Sequence, residues 1–264
     1  MPLNPSLPPE VKKALAKFKS GIADLEKILN SRGPDGSGPN FAAAGAALAI
    51  TEPIAKICYP YIYYQDRTAT PSVGITRLGY KTRATNLRDE RGRPTRQDVM
   101  RDIRADKAVE KLWKNHFNNK RYARFSNLVW DCFRNGITHL QLPQKVVNTP
   151  HALHDNSFLS GVTWIGRLED LKLPSDIEAA KAEHLNFKLM GSKKRPALIF
   201  SPHVYYFDLK EAVENIEKQA ETNAALQARI VTGWEIFGRS YKTKFSKYTP
   251  ALQAKIDREI RRLK

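Results

Sequence analysis

Cysteine is scarce. The chain of 264 residues has two, Cys58 and Cys132, and neither has a CxxC neighbour. That excludes a disulfide framework and a four-thiolate zinc site. Both read as reduced packing thiols. Long hydrophobic runs are also missing. The longest runs from Phe41 to Ile50 and is followed by Glu52, Pro53 and Lys56. A membrane span needs about 20 apolar residues, so none is expected. The start, Met1-Pro2-Leu3-Asn4-Pro5, has neither a basic n-region nor an apolar h-region. It reads as neither a secretory signal nor an Arg/Ser-rich transit peptide.

Chemical signatures are absent as well. There is no GxGxxG, GxxxxGK[ST], GxSxG or HExxH. The best metal-like cluster is His151-Ala152-Leu153-His154-Asp155. A structural zinc needs four ligands, and no thiol pair or further histidine cluster lies nearby in sequence. His184 and His203 could join only through the fold, and His116 and His139 read as structural. No metal, no cofactor and no catalytic activity is expected.

What the sequence does have is positive charge. Lys and Arg number 44 against 27 Asp and Glu, a net charge of +17. Hydrophobic residues at 41% and charged residues at 27% are ordinary for a folded chain. The charge is uneven: residues 66–134 hold seventeen basic and eight acidic side chains. Residues 1–11 have no basic residue, so the chain lacks the N-terminal cationic tail of many nucleic-acid binders. The charge is built into folded elements and predicts a docking surface for an acidic protein face, anionic lipid or RNA.

Periodicity predicts helices. Over 8–31, Val11, Leu15, Phe18, Ile22, Leu25, Ile28 and Leu29 recur at three- and four-residue spacing after Pro8 and Pro9. Residues 33–40, rich in Gly and Pro, read as a linker. The division is therefore 1–40, a docking helix and linker, and 41–264, a helical body. An Ala-rich helix is expected over 41–51. Four tyrosines follow, Tyr59, Tyr61, Tyr63 and Tyr64, which suit a subunit interface that is apolar with a polar edge.

Residues 66–94 are irregular and Arg-rich, with Arg77, Arg83, Arg88, Arg91 and Arg93 as candidate anion or partner contacts. A helix over 96–117, capped by Thr95, gathers Arg96, Arg104, Lys107, Lys111 and Lys114 in one quadrant. Asp98, Asp102, Asp106 and Glu110 form a separate acidic row that wants outside cations. A further helix is expected over 120–134. Short strands are expected at 137–142, 162–165 and 197–200, and helices over 175–189, 209–237 and from Pro250 onward. Gly191-Ser192-Lys193-Lys194-Arg195-Pro196 reads as a basic surface loop.

The fold expected is mainly α: an irregular helical protein with long surface loops and room for a few short strands. The function expected is that of a non-catalytic accessory subunit of a large assembly. Its expected setting is the matrix side of a mitochondrial membrane-energy complex of the ATP synthase or respiratory-chain type. Its partners would be other protein subunits, with anionic lipid or RNA as further candidates. The alternative is an organellar ribosomal or other RNA-binding protein, with Arg67–Lys114 tracking phosphates.

Overall fold

The computed structural model describes residues 7–31, 39–60, 74–75, 81–82, 87–88, 94–95, 105–137, 146, 157–171, 175–240 and 249–262. The architecture is mainly α with one small three-stranded sheet, as expected.

Helix α1 (Pro9–Leu29) buries Val11, Ala14, Leu15, Phe18, Ile22, Leu25 and Leu29, the stripe that the spacing predicts. This stripe packs against α2 (Asn40–Cys58), α7 (Pro202–Thr222) and α8 (Ala224–Ser240). The helix expected to reach away from the body therefore lies in its core. The reason is energetic: each large apolar side chain gains about 1.5–3 kcal/mol on burial, and the body offers the covering face.

Helix α2 is the central element and touches α1, α3 (Ala105–His116), α7 and α8. It does not stop at residue 51 but continues through Pro53 to Cys58. A proline inside a helix costs about 3 kcal/mol, and here burial of Ile54, Ala55, Ile57 and Cys58 outweighs that loss. Its small residues allow close approach. A Cβ at Gly233 of α8 would lie 2.0 Å from the carbonyl oxygen of Ile57. Among the described residues α2 is the one helix long and apolar enough to cross a membrane by length and composition, and half of that stretch is buried within the protein. Glu52, on the same helix, pairs with both Lys56 and Arg134.

The expected helix over 120–134 is broken into α4 (Arg121–Arg124), α5 (Ser126–Leu128) and a π-helical segment, Val129–Asn135. It still buries Tyr122, Val129, Cys132 and Phe133. Thr95, read as a helix cap, instead pairs with Leu87. Strands β1 (Gly74–Ile75) and β2 (Lys81–Thr82) form one antiparallel pair; β3 (Leu87–Arg88) and β4 (Pro94–Thr95) form another. Ile137, the start of an expected strand, is helical; 138–142 lie outside the described residues.

The small sheet has the order β5-β7-β6, from β5 (Leu159–Val162), β6 (Phe187–Met190) and β7 (Arg195–Phe200). Strand β5 lies N-terminal to the expected 162–165. Helix α6 (Ser175–Glu183) ends before the expected 189, because Leu185 turns left-handed at φ +53 and donates its N–H to Ile199 O at 2.7 Å. The chain then enters β6. Helix α7 begins at Pro202, not 209, with Ser201 Oγ accepting the Val204 N–H. Asn223 ends it and caps α8, its Oδ1 accepting the Leu226 N–H at 3.0 Å. Helix α9 (Pro250–Arg262) starts at Pro250 as expected, with Thr249 Oγ1 accepting the Leu252 N–H at 3.4 Å, and buries no residue.

Candidate functional site: a basic cleft and an exposed hairpin

Most of the charged residues singled out by sequence, Arg77, Arg83, Arg91, Arg93, Arg96 and Arg104, lie outside the described residues, as do Tyr61, Tyr63 and Tyr64. Arg88 lies in β3. Of the acidic row, Asp98 and Asp102 are outside, while Glu110 takes the Lys107 ammonium at 2.8 Å. His139, His151, His154 and Asp155 are outside as well. Among the described residues no group of three or more His, Cys, Asp or Glu is placed to hold a metal ion.

The structure brings two of the sequence candidates, Tyr59 and Lys111, into one cleft of about 430 Å³. Tyr59 caps the last turn of α2, its N–H donating to Ala55 O. Lys111, Asn115 and His116 come from one face and the last turn of α3, Gln219 from α7, and Arg229 from α8. Gly233 sets this geometry. It lets α8 ride against the Ile57 backbone, and Arg229, one turn earlier, reaches the Tyr59 ring with its guanidinium carbon 5.4 Å from the centroid.

Tyr59 is 5% exposed, so its ring serves as the wall of this cleft and not as a free interface side chain. Its oxygen accepts from Asn115 Nδ2 at 3.1 Å and lies 2.7 Å from His116 Nε2. Burial, helped by the nearby Arg229 charge, holds His116 down to about 4. Its Nδ1 and the Arg229 Nε are both buried without a hydrogen-bond partner. Lys114 is exposed on the same helix but does not line the cleft.

A second surface stands out. The turn 191–194, read as a basic loop, is the tip of a β-hairpin formed by β6 and β7. Gly191, at φ +72, and Lys194, at φ +45, make the reversal. Every residue of β6 is exposed, including Phe187, Leu189 and Met190, with Leu189 at 62%. Lys193, Lys194 and Arg195 surround the tip. Reading the stretch up to 189 as helix hid this element. Its signal was the alternation around Lys188, followed by a Gly-containing turn and a second apolar run.

The remaining reactive side chains are quiet. Burial pushes the Cys58 thiol up to about 12 and also raises Cys132, so neither is a ready nucleophile. His184 accepts the Ser201 N–H at 2.9 Å on Nδ1, and burial together with the Arg121 charge holds it down to about 3. His203 meets Gly166 O at 2.7 Å and stacks edge-on to Trp164. Both belong to the packing of the sheet against α7.

No protein-family model, no curated protein and no solved structure matches this chain.

Proposed function

We propose that the chain is a non-catalytic subunit of a larger protein assembly, docked through the β6–β7 hairpin. The hairpin carries the reading. It leaves Leu189 largely in solvent and Met190 and Phe187 part-exposed on an edge strand, with the Phe187 ring edge-on to Phe125 and Phe158, next to three consecutive cations. An exposed apolar edge is an aggregation hazard for a free protein and is removed when a partner strand or groove covers it. The cations at the tip fit a partner whose groove has an acidic rim. Helix α9 buries none of its side chains and adds a second exposed element, with Leu252 and Ile260 exposed beside Arg258, Arg261 and Arg262.

The proposed setting is the matrix side of a mitochondrial membrane-energy complex. Its support is compositional: a net charge of +17 favours association with an acidic protein or anionic lipid surface. The RNA-binding alternative rests on the excess of cations over residues 66–134.

The test is a photo-crosslinking residue placed at Leu189 in cells that make the protein. One discrete adduct of constant mass, absent when the crosslinker is moved to Glu221 on the exposed side of α7, supports hairpin docking. Equal, diffuse labelling from both positions overturns it.

A further inference from the structure

We propose that the hairpin docks by strand addition: an extended partner segment, in which apolar residues alternate with Asp or Glu, pairs along the open edge of β6. This rests on the docking reading above and names the chemistry of the partner.

Strand β7 lies between β6 and β5. In such a ladder the backbone polar groups of successive residues point to alternate sides. Two hydrogen bonds fix which residues of β7 face which neighbour. The Ile199 N–H donates to Asn186 O at 3.1 Å, on the β6 side, and Phe200 O accepts the Thr163 N–H at 2.9 Å, on the β5 side. Counting back by twos, Ala197 and Arg195 face β6, while Leu198 and Pro196 face away from it. Pro196, which has no N–H to give, therefore sits where β6 takes none. The antiparallel register sets Lys188 opposite Ala197 and Met190 opposite Arg195, so these two residues of β6 bond inward. Phe187 and Leu189, opposite Leu198 and Pro196, turn their N–H and C=O groups to the open edge. A strand added in either direction takes four hydrogen bonds from these two residues.

The side chains set the preference. Phe187 and Leu189 share one face, where the Phe187 ring meets Phe125 and Phe158 edge-on. Residues of the added strand opposite them extend that apolar face. Lys188 and Met190 share the other face with Arg195, the cross-strand neighbour of Met190. Residues 187–200 carry four cations, Lys188, Lys193, Lys194 and Arg195, and no carboxylate. Glu183 of α6 pairs with Lys188. An acidic residue of the added strand opposite Lys188 supplies a cross-strand charge pair on the cationic face. A second copy of this chain fits poorly. The twofold register that pairs Phe187 of one chain with Leu189 of the other sets Lys188 against its own copy, and like charges directly opposite are destabilising.

The full-length chain is titrated at neutral pH with an acetylated eight-residue peptide alternating Val and Glu, and amide hydrogen exchange is read residue by residue. In the free chain the Lys188 and Met190 amides are expected to exchange slowly, and those of Phe187 and Leu189 fast. The peptide is expected to slow the latter two by about tenfold or more, and a peptide alternating Val and Lys is not. Leu189→Pro removes the outward N–H and leaves the bonds to β7 in place. It is expected to weaken binding about tenfold or more, and Leu189→Ala by about threefold or less.

Slow Phe187 and Leu189 amides in the free monomer overturn the proposal. So does no protection by the Val–Glu peptide, equal protection by the Val–Lys peptide, or a Leu189→Pro variant that binds like Leu189→Ala. The wild-type exchange pattern carries the test even where the proline variant does not fold. Protection that comes with a doubled mass and no peptide identifies a second copy and also overturns it. Crosslinking from Leu189 is blind to backbone pairing. A single adduct in a complex whose Phe187 and Leu189 amides stay fast therefore overturns strand addition and leaves hairpin docking standing.

Discussion

The hydroxyls of Thr51 and Tyr205 meet at 2.7 Å inside the helical core. Thr51 donates its hydrogen to Ala47 O at 2.8 Å, so Tyr205 donates to Thr51 and its oxygen accepts the Trp113 indole N–H at 3.0 Å. One phenol therefore joins α2, α3 and α7. Tyr205→Phe leaves the Trp113 N–H buried without an acceptor. The expected cost is about 1–3 kcal/mol, seen as a lower urea midpoint with an unchanged slope. An unchanged midpoint would remove this triad from the account of stability.

Glycine positions around α2 separate two kinds of contact. At Gly233 a Cβ would meet the Ile57 carbonyl oxygen at 2.0 Å, and backbone cannot swing aside. Gly233→Ala is expected to destabilise by about 3 kcal/mol or more and to disturb the Arg229–Tyr59 wall of the cleft. At Gly21 the obstacle is Ile50 Cγ2 at 2.9 Å, the end of a side chain that can turn. Gly21→Ala also gains helix propensity of about 1 kcal/mol, so its net effect is expected to stay within about 1 kcal/mol. Thermal unfolding of the two variants side by side checks the ranking.

Stability is expected to fall on mild acidification. Burial holds His184 at about 3 and His116 and His203 at about 4, against 6.5 for the free side chain. The unfolded chain binds these protons below about pH 6.5 and the folded chain does not. Their stabilising contribution is therefore present above 6.5 and is lost as pH falls toward the folded values. Asp208 runs the other way. Burial raises it to about 6 against the opposing hydrogen bond from Tyr122, with Glu211 adding to the rise. Its contribution is full below 3.8 and gone above about 6. Between pH 6 and 4.5 the histidines outnumber it, and the net loss is of order 1–3 kcal/mol per pH unit. Urea midpoints at pH 7 and 5 measure this. Asp208→Asn steepens the acid loss, and a flat profile would contradict three buried neutral histidines.

Hairpin variants separate docking from folding. Leu189 is largely in solvent, so Leu189→Asp is expected to move stability by no more than about 0.5 kcal/mol while weakening assembly. A variant that loses both at once would make Leu189 a folding residue.

Local periodicity made part of this legible. The stripe of α1, the start of α9 at Pro250 and the strand at 197–200 were all readable, because each is decided within a few residues. The errors share one physical cause, the tertiary environment. The Ala-rich helix is expected over 41–51, yet α2 runs on through Pro53 to Cys58 because the following turn is buried. Asp208 reads as a helix start, yet it lies inside α7 and bonds Tyr122 from another element. The segment Phe187–Met190 reads as the end of a helix until the left-handed Leu185 and the pairing to β7 make it a strand. The cleft was legible only in fragments. Tyr59 and Lys111 were singled out separately, and Arg229 carried no sequence signal, since its role depends on Gly233 letting α8 come close.

The central claim is that this chain works inside a larger assembly. The direct measurement is the native mass of the protein in extracts of the cells that make it, by gradient sedimentation, for the wild type and for Leu189→Asp. The account predicts that the wild type sediments far above its own 30.0 kDa and that the variant falls back toward that mass while staying folded. A wild-type protein that sediments as a 30.0 kDa monomer would contradict it.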